Sequence, residues 1–409
     1  MQSSNIATIK WLTYLMFMMF AMTTDAVGVI IPEIIREFDL SLTAAGAFHY
    51  GPMAAIAIGG IGLGFLADKI GRKKTIIIGL ALFSVACGLF AVGNTFSFFL
   101  FLLILSGLAI GIFKTGALAL IGDISTTAES HTKTMNIAEG FFGVGAIIGP
   151  FIVTALLAGG VNWKFLYIIA GVICIVLCLI AAVVAYPKHI QVNTDQINLS
   201  RTITILKSPY AMGFSVLIAL YVAAEAAIYV WMPTLLKDYT GSYTWAATWS
   251  LTIFFTFRAC GRFLAVWFLN VVNWKIAMVV FSAAIAICYL ASIYFGLAVA
   301  VFLLPLSGLF MAMIYPTLNS KGISCFPKHE HGAIAGVLLF STAAAASFGP
   351  MIMGVYSDWM GGEARHGFVL AAGFAFLLCV GCVYNWIFDP TDRHIKAVEQ
   401  LDPSVELNK

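Results

Sequence analysis

The sequence predicts an all-α polytopic membrane protein with twelve transmembrane helices in two pseudo-symmetric six-helix bundles. The first observation is composition: 61% of the 409 residues are hydrophobic and 10% are charged, whereas about 25% are charged in a soluble protein. The second is a series of apolar runs, each near the 20 or so residues that cross a bilayer as a helix. The third is an internal repeat between the two halves of the chain.

The apolar runs define the elements and the domains. We place the spans at 10–31, 43–67, 75–93, 97–121, 134–158, 164–186, 210–236, 246–269, 275–294, 298–320, 332–355 and 367–388. The longest polar interruption separates two sets of six. We therefore expect an N-terminal bundle (1–186), a cytoplasmic central loop (187–208), a C-terminal bundle (209–388) and a charged, frayed cytoplasmic tail (389–409).

The distribution of basic residues predicts the orientation. With both termini inside, fifteen lysines and arginines fall in cytoplasmic segments and four in outer segments, as the positive-inside rule requires. We expect a multi-pass protein of the bacterial cytoplasmic membrane whose first span is not a cleaved signal peptide. The net charge of +3 gives no indication of nucleic-acid binding. The eight cysteines lie mostly within apolar runs and are expected to be core residues.

The repeat relates positions about 200 residues apart. Gly149-Pro150 and Gly349-Pro350 are separated by 200 residues, and Pro32 and Pro233 by 201. Two halves related by an axis along the membrane normal are a common transporter design.

A basic hairpin lies between the second and third spans, with the sequence Gly64-Phe-Leu-Ala-Asp68-Lys-Ile-Gly71-Arg72-Lys73-Lys74. Such a segment cannot lie in hydrocarbon, so it marks the cytoplasmic boundary. Gly64 allows close helix approach and Gly71 a tight turn. Asp68 can accept from free amides, while Arg72 can bond carboxylates or carbonyls.

The hairpin resembles the loop between helices 2 and 3 of the major facilitator superfamily. The resemblance implies the fold of that superfamily, in which spans 1, 4, 7 and 10 line a central cavity. It also implies roles in conformational gating for Gly64, Asp68, Gly71 and Arg72.

Six charged residues lie away from the ends of the predicted spans, where each costs about 2.5–3.5 kcal/mol on insertion scales and needs a partner or a wet cavity. They are Asp25, Lys114, Glu139, Glu225, Arg258 and Arg262. Asp25 and Glu225 stand 200 residues apart at matching places in the halves, which suits proton carriers. Alternatively, the two carboxylates, with hydroxyls such as those of Thr23 and Thr24, could hold a sodium ion near Asp25.

Pairing among these groups is the structural alternative. Asp25 could neutralise Lys114, and Glu225 has Arg258 as its obvious partner. Glu139 either pairs with Lys114 or the basic hairpin, or takes part in cation coupling. His49, near the outer end of the second span, is a weaker candidate of the same kind.

Two further stretches narrow the resemblance. Tyr221-Val-Ala-Ala-Glu225 in span seven and the Tyr315-Pro316-Thr317 segment of span ten are similar to the fucose–galactose–glucose:proton symporters and their sodium-dependent glucose transporter relatives. That likeness implies that Glu225 and Tyr315 lie at the sugar site or its coupling site. From the residue types alone, aromatic rings can stack on a sugar and amides can bond its hydroxyls. The predicted substrate-binding residues are Lys114, Tyr221, Glu225, Tyr229, Arg258, Tyr315 and Asn319.

These observations predict a secondary active transporter that moves a small polar solute, a sugar, by alternating access with proton or sodium coupling. We expect a monomer that is not an enzyme, with no cofactor and no structural metal. The alternatives are a proton-driven exporter of amphipathic compounds, an organic-anion transporter that uses Lys114 and Arg258, and a non-transporting sensor on the same scaffold. The sequence lacks a Walker-type phosphate loop, which disfavours direct use of ATP.

Overall fold

A computed structural model of the chain describes residues 2–63, 66–125, 128–187, 205, 207–327 and 330–401. All regular secondary structure within these ranges is helical. The N-terminal half contains α1 Gln2–Thr24, α2 Val27–Phe38, α3 Leu42–Gly62, α4 Leu66–Lys69, α5 Arg72–Leu89, α6 Phe96–Asp123, α7 Ala128–Ala158 and α8 Phe165–Val183. The C-terminal half contains α9 Pro209–Leu236, α10 Thr244–Thr248, α11 Ser250–Val271, α12 Trp274–Phe295, α13 Leu297–Met311, α14 Ile314–Ser324, α15 His331–Trp359, α16 Ala364–Phe388 and α17 Pro390–Leu401.

Each of the twelve predicted spans coincides with a helix or a pair of consecutive helices. Ten stretches within the described ranges are long and apolar enough to cross a membrane. The second and third predicted spans correspond to α3 and α5, and α5 begins with the three cations Arg72–Lys74. The predicted central loop lies largely outside the described residues.

Two of the predicted spans are each built from two consecutive helices. The first span, longer than predicted at Asn5–Phe38, is interrupted between α1 and α2. The tenth is interrupted between α13 and α14. Pro316 explains the second break, because a proline has no N–H to bond the carbonyl four residues earlier, at Ala312.

The chain forms two compact units. Unit 1 comprises Met1–Val192, Tyr229–Lys237 and Thr244–Phe255, and unit 2 comprises Asn193–Ile228, Asp238–Tyr243 and Thr256–Lys409. The C-terminal end of α9, the whole of α10 and the start of α11 thus belong to unit 1, which the sequence analysis did not anticipate.

Equivalent glycines make equivalent helix contacts inside the two units. A Cβ at Gly149 of α7 would lie 2.1 Å from the backbone oxygen of Met22 on α1. A Cβ at Gly349 of α15 would lie 2.9 Å from the Ala223 side chain on α9. Met22 and Ala223 are themselves 201 residues apart. Each glycine therefore lets the fifth span of its half pack closely on the first.

Lysines at the start of α5 and α12 hold the end of the last span in each half. Lys73 Nζ donates to the carbonyl oxygens of Ala182 and Val184, at 2.7 and 2.9 Å, where α8 ends. Lys275 Nζ bonds Asp389 Oδ1 at 2.7 Å and Asp392 Oδ2 at 2.9 Å. Lys275 occupies the place in the second half that corresponds to the basic hairpin of the first half. Like Lys73, it links the start of the third span of its half to the end of the sixth.

The prediction of a frayed tail is wrong for residues 390–401, which form α17. Pro390 suits the first turn of a helix, and Asp392 suits its positive end. Asp392 also accepts from Trp274 Nε1 at 3.2 Å, and the rings of His394 and Tyr210 stack with centroids 3.7 Å apart. These contacts supply the order that the sequence alone did not indicate.

The cysteine prediction is largely confirmed. All eight cysteines lie in the described ranges and are free thiols. Five are buried, Cys178 and Cys379 are partly exposed, and Cys260 is exposed.

Candidate functional site

Helix α9 places Tyr221 and Glu225 on one face, because residues four apart lie one above the other on a helix. Both side chains are buried in unit 2, and Glu225 is only 6% exposed. Glu225 Oε1 accepts a hydrogen bond from the Tyr221 hydroxyl at 2.6 Å and pairs with Arg258 Nη2 of α11 at 2.9 Å. The prediction that Arg258 is the partner of Glu225 is confirmed.

The Tyr221 hydroxyl has a second neighbour at the helix break. It lies 3.0 Å from the backbone oxygen of Met311, the last residue of α13. A hydroxyl carries one proton and two lone pairs, so it donates to one of these oxygens at a time and can accept from another group. This cluster of Tyr221, Glu225, Arg258 and the Met311 carbonyl is called the Glu225 cluster below.

Two other tyrosines support the Glu225 cluster. Tyr289 of α12 is fully buried and donates to the backbone oxygen of Ala224 at 2.6 Å, which fixes α9 at the level of Glu225. The Tyr315 ring lies with its centroid 6.4 Å from that of Tyr221. The Thr342 hydroxyl of α15 donates to the Leu338 carbonyl oxygen at 2.9 Å and lies 3.4 Å from the Tyr315 hydroxyl. Asn319, one turn further along α14, is half-buried.

Asp25 of unit 1 lies at the interruption between α1 and α2 and is partly buried. The Thr24 hydroxyl lies 3.0 Å from Asp25 Oδ2 and 3.2 Å from the backbone oxygen of Phe20. Thr23 donates to the same Phe20 oxygen at 2.9 Å. Asp25 and Glu225 therefore share a pattern, in which a carboxyl group meets a hydroxyl that also faces a backbone carbonyl.

Lys114 and Glu139 do not form the predicted ion pair. Lys114 of α6 is partly buried, and its Nζ lies 5.1 Å from the centre of the Phe142 ring on α7. Glu139, one helical turn before Phe142, is exposed. Among the described side chains, neither Lys114 nor Glu139 has an oppositely charged partner within 4 Å. The predicted ion pair between Asp25 and Lys114 is therefore not formed either. Arg262 is exposed, on the same helix as Arg258.

His49 and Tyr229 come together within unit 1. His49 of α3 is 2% exposed, and its ring centroid lies 5.3 Å from that of Tyr229 on α9. Tyr229, predicted to contact substrate, is partly buried.

The basic hairpin has the predicted turn. Gly71 has φ +88°, a conformation that favours glycine, and directly precedes α5. Arg72 Nε donates to Asp123 Oδ2 at the end of α6, at 3.0 Å. Gly64 and the side chain of Asp68 lie outside the described part of the chain. The gating roles of Gly64, Asp68, Gly71 and Arg72 all stay predictions.

A family model gives the identity of this architecture. The model of the Major Facilitator Superfamily matches residues 13–350. The chain belongs to the Major Facilitator Superfamily. Its helices therefore form the multi-pass membrane fold of that superfamily, and the predicted fold class is confirmed.

Curated relatives match a shorter stretch. Quinolone resistance protein NorA of Staphylococcus aureus (strain Mu50 / ATCC 700699) is 36% identical over 133 residues, which cover 30% of this chain and 32% of that protein. Multidrug resistance protein 1 of Bacillus subtilis (strain 168) is 33% identical over 157 residues, covering 37% of this chain and 38% of that protein. The chain thus spans about a third of the length of these relatives.

Solved structures match nearly the whole chain at low identity. A bacterial homologue of the human lysosomal transporter Spinster has a TM-score of 0.75 at 14% identity, covering 92% of this chain and 96% of its own. The D-xylose–proton symporter has 0.74 at 14% identity, covering 95% and 99%. The transporter FucP has 0.64 at 19% identity, covering 93% and 99%. At these identities the likeness shows the superfamily fold alone, not the sugar-symporter group.

Sequence reasoning missed two parts of the candidate site. The Met311 carbonyl carried no side-chain signal, although Pro316 marks a helix break nearby. Thr24 was considered only as a sodium ligand, although its position next to Asp25 allowed a local hydrogen bond.

Proposed function

We propose that this member of the superfamily is a proton-driven exporter of amphipathic small molecules. Glu225 is the principal proton carrier, and Asp25 is its counterpart in the N-terminal half. The protein acts as a monomer by alternating access in the bacterial cytoplasmic membrane, with both termini inside.

The observation that carries the proposal is the hydroxyl beside each carboxyl group. When Glu225 is ionised, Tyr221 donates to it. When Glu225 is protonated, its O–H donates to Tyr221, and Tyr221 donates to the Met311 oxygen 3.0 Å away. In both states each hydroxyl hydrogen of the Tyr221–Glu225 pair has an acceptor, so loading a proton leaves neither hydroxyl unpaired.

Thr24 gives Asp25 the same two arrangements. It donates to Asp25 Oδ2 when that group is ionised, and to the Phe20 oxygen when Asp25 is protonated and donates instead. The two sites stand at equivalent positions of the repeat, 200 residues apart.

Arg258 favours a proton over sodium at Glu225. Its Nη2 lies 2.9 Å from Oε1, so a sodium ion bound by that carboxylate would face a guanidinium charge at close range. A proton neutralises Glu225 without adding a ligand shell, and it weakens the hold on Arg258. Protonation thereby becomes a change in the contact between α9 and α11.

The choice of cargo rests on the relatives and on the occupied side chains. Both curated relatives are named for drug resistance, and they are more than 30% identical where they match. Tyr221 and Glu225 already bond each other, which suits a coupling role better than recognition of sugar hydroxyls. Arg258 is neutralised by Glu225, which weakens the organic-anion alternative.

Transport by purified protein in liposomes tests the proposal. We expect an outwardly directed flux of amphipathic dyes that follows an imposed pH gradient and ignores a sodium gradient. Uptake of a sugar, driven by either ion, would replace the exporter by the symporter that the sequence first suggested. Sodium dependence alone would remove the proton assignment.

A further inference from the structure

A small cavity lies inside unit 1, beside the Thr24–Asp25 pair. Its volume is about 20 Å³, and it is bounded by residues of α1, α2, α3, α6 and α8. The polar residues of its wall are Thr23, Thr24, His49, Ser106 and Tyr167. The remaining wall is apolar.

Two hydroxyls in this wall have no hydrogen-bond partner among the described residues. They are Ser106 Oγ and the Tyr167 hydroxyl, on side chains that are 3% and 1% exposed. An unpaired hydroxyl in an apolar interior is costly. The Tyr167 ring cannot readily turn away, because it stacks on Phe90 with centroids 4.1 Å apart.

The cavity has the size and the chemistry for one water molecule. A buried water needs at least about 10–15 Å³ and two to four polar partners. Ser106 and Tyr167 supply two partners, and Thr23, Thr24 and His49 line the same space. A cavity with only apolar walls would stay dry.

We propose that this cavity holds one ordered water, which bonds Ser106 and Tyr167 and extends the hydrogen-bond network of Thr24 and Asp25. The inference deepens the proposed proton coupling and rests on it for its functional part. The water gives Thr24 a third neighbour, so it stabilises the hydroxyl as its proton turns between Asp25 and the Phe20 carbonyl. Ser106 and Tyr167 are thus positioning residues for Asp25.

Titratable groups face this network from several helices. His49 reaches it from α3 and Tyr167 from α8, the Cys87 thiol of α5 interacts with Tyr167, and the Tyr229 ring of α9 lies 5.3 Å from the His49 ring. His49→Gln removes the titratable ring that lines the cavity. The shift it causes in the pH midpoint of transport is therefore compared with the shifts caused by Ser106→Ala and Tyr167→Phe.

The sign of a stability change tests whether the cavity is wet. If it is dry, Ser106→Ala removes an unpaired buried hydroxyl and raises the melting temperature of the purified protein. If it holds water, the substitution breaks a satisfied bond and lowers the melting temperature, and Tyr167→Phe does the same. The shared water also predicts that the double variant falls less than the two single shifts together.

Ser84→Ala is the matched control. Its hydroxyl is on α5 in the same unit, outside the cavity, and donates to the Leu80 oxygen at 2.9 Å. We expect a small lowering in this variant, with no coupling to Tyr167→Phe. A rise in melting temperature for Ser106→Ala or Tyr167→Phe overturns the water assignment.

Transport separates this inference from the proposed function. If the wild-type protein couples protons, we expect Ser106→Ala and Tyr167→Phe to shift the pH midpoint of transport. The same substitutions should not shift the midpoint in an Asp25→Asn background. An unchanged midpoint in the coupled protein overturns the link to Asp25. If the wild-type protein does not couple protons, both the proposed function and the link between the water and Asp25 are overturned. The sign of the melting-temperature changes still shows whether the cavity holds water.

Discussion

Replacing Glu225 with glutamine removes the charge of the Glu225 cluster while keeping an oxygen that can accept from Tyr221 and Arg258. A hydrogen bond to a charged group contributes about 1.5–3 kcal/mol and a neutral one about 0.5–1.5. Two weakened bonds therefore lower the free energy of unfolding by about 2–3 kcal/mol. The larger effect is on coupling, because the amide cannot carry a proton through the cycle.

The size of the coupling effect follows from the gradient. A pH difference of one unit supplies about 1.4 kcal/mol per proton, enough for about a tenfold concentration ratio of the cargo. In liposomes with that gradient, Glu225→Gln should bring the ratio to about one, while exchange of labelled for unlabelled cargo continues. Glu225→Asp, which keeps a carboxyl group, should retain part of the gradient-driven flux. A tenfold ratio in the glutamine variant would refute the assignment of Glu225 as proton carrier.

Three further predictions concern single contacts. Tyr221→Phe removes the proton that turns between two acceptors, so it should cost about 1 kcal/mol of stability and shift the pH midpoint of transport; an unchanged midpoint contradicts the exchange of hydrogen bonds. Gly149→Ala places a methyl group 2.1 Å from the α1 backbone and should sharply lower the yield of folded protein, whereas Gly140→Ala, with nothing within 4 Å, should not. The hydrogen bond from Lys275 lowers the pKa of Asp389 below its ordinary 3.8, so this contribution to stability is complete above that pH and is lost as the pH falls through the lowered pKa. The melting temperature of Asp389→Asn should therefore be lower than that of the wild type at pH 7 and approach it at pH 3. A difference in melting temperature that stays constant with pH contradicts the assignment.

Local spacing was enough to find the central part of the Glu225 cluster. Tyr221 and Glu225 are four residues apart on one predicted helix, so their contact follows from helix geometry. Arg258 was expected as a partner because an unpaired charge in a span is costly and few groups can offset it. The repeat offset brought out Asp25 as the equivalent of Glu225.

Contacts that depend on packing between helices could not be read from the sequence. Charge balance suggested that Lys114 pairs with Asp25 or Glu139, but balance fixes only the sum of the charges and not the helix faces that meet. The Met311 carbonyl is a backbone group 90 residues from Tyr221, and only the folded chain brings them together. The unpaired hydroxyls of Ser106 and Tyr167 likewise became visible only through their surroundings.

The break between α13 and α14 places a mechanical joint at the Glu225 cluster. On the N-terminal side of the break, the Met311 carbonyl faces the Tyr221 hydroxyl. On its C-terminal side, Tyr315 and Pro316 lie in the first turn of α14. In the proposed cycle, each arriving proton adds a bond to that carbonyl and each departing proton removes one. Protonation of Glu225 would then stiffen the break in the tenth span, and loss of the proton would loosen it. One exchangeable hydrogen would in this way control how far α14 can tilt relative to α13.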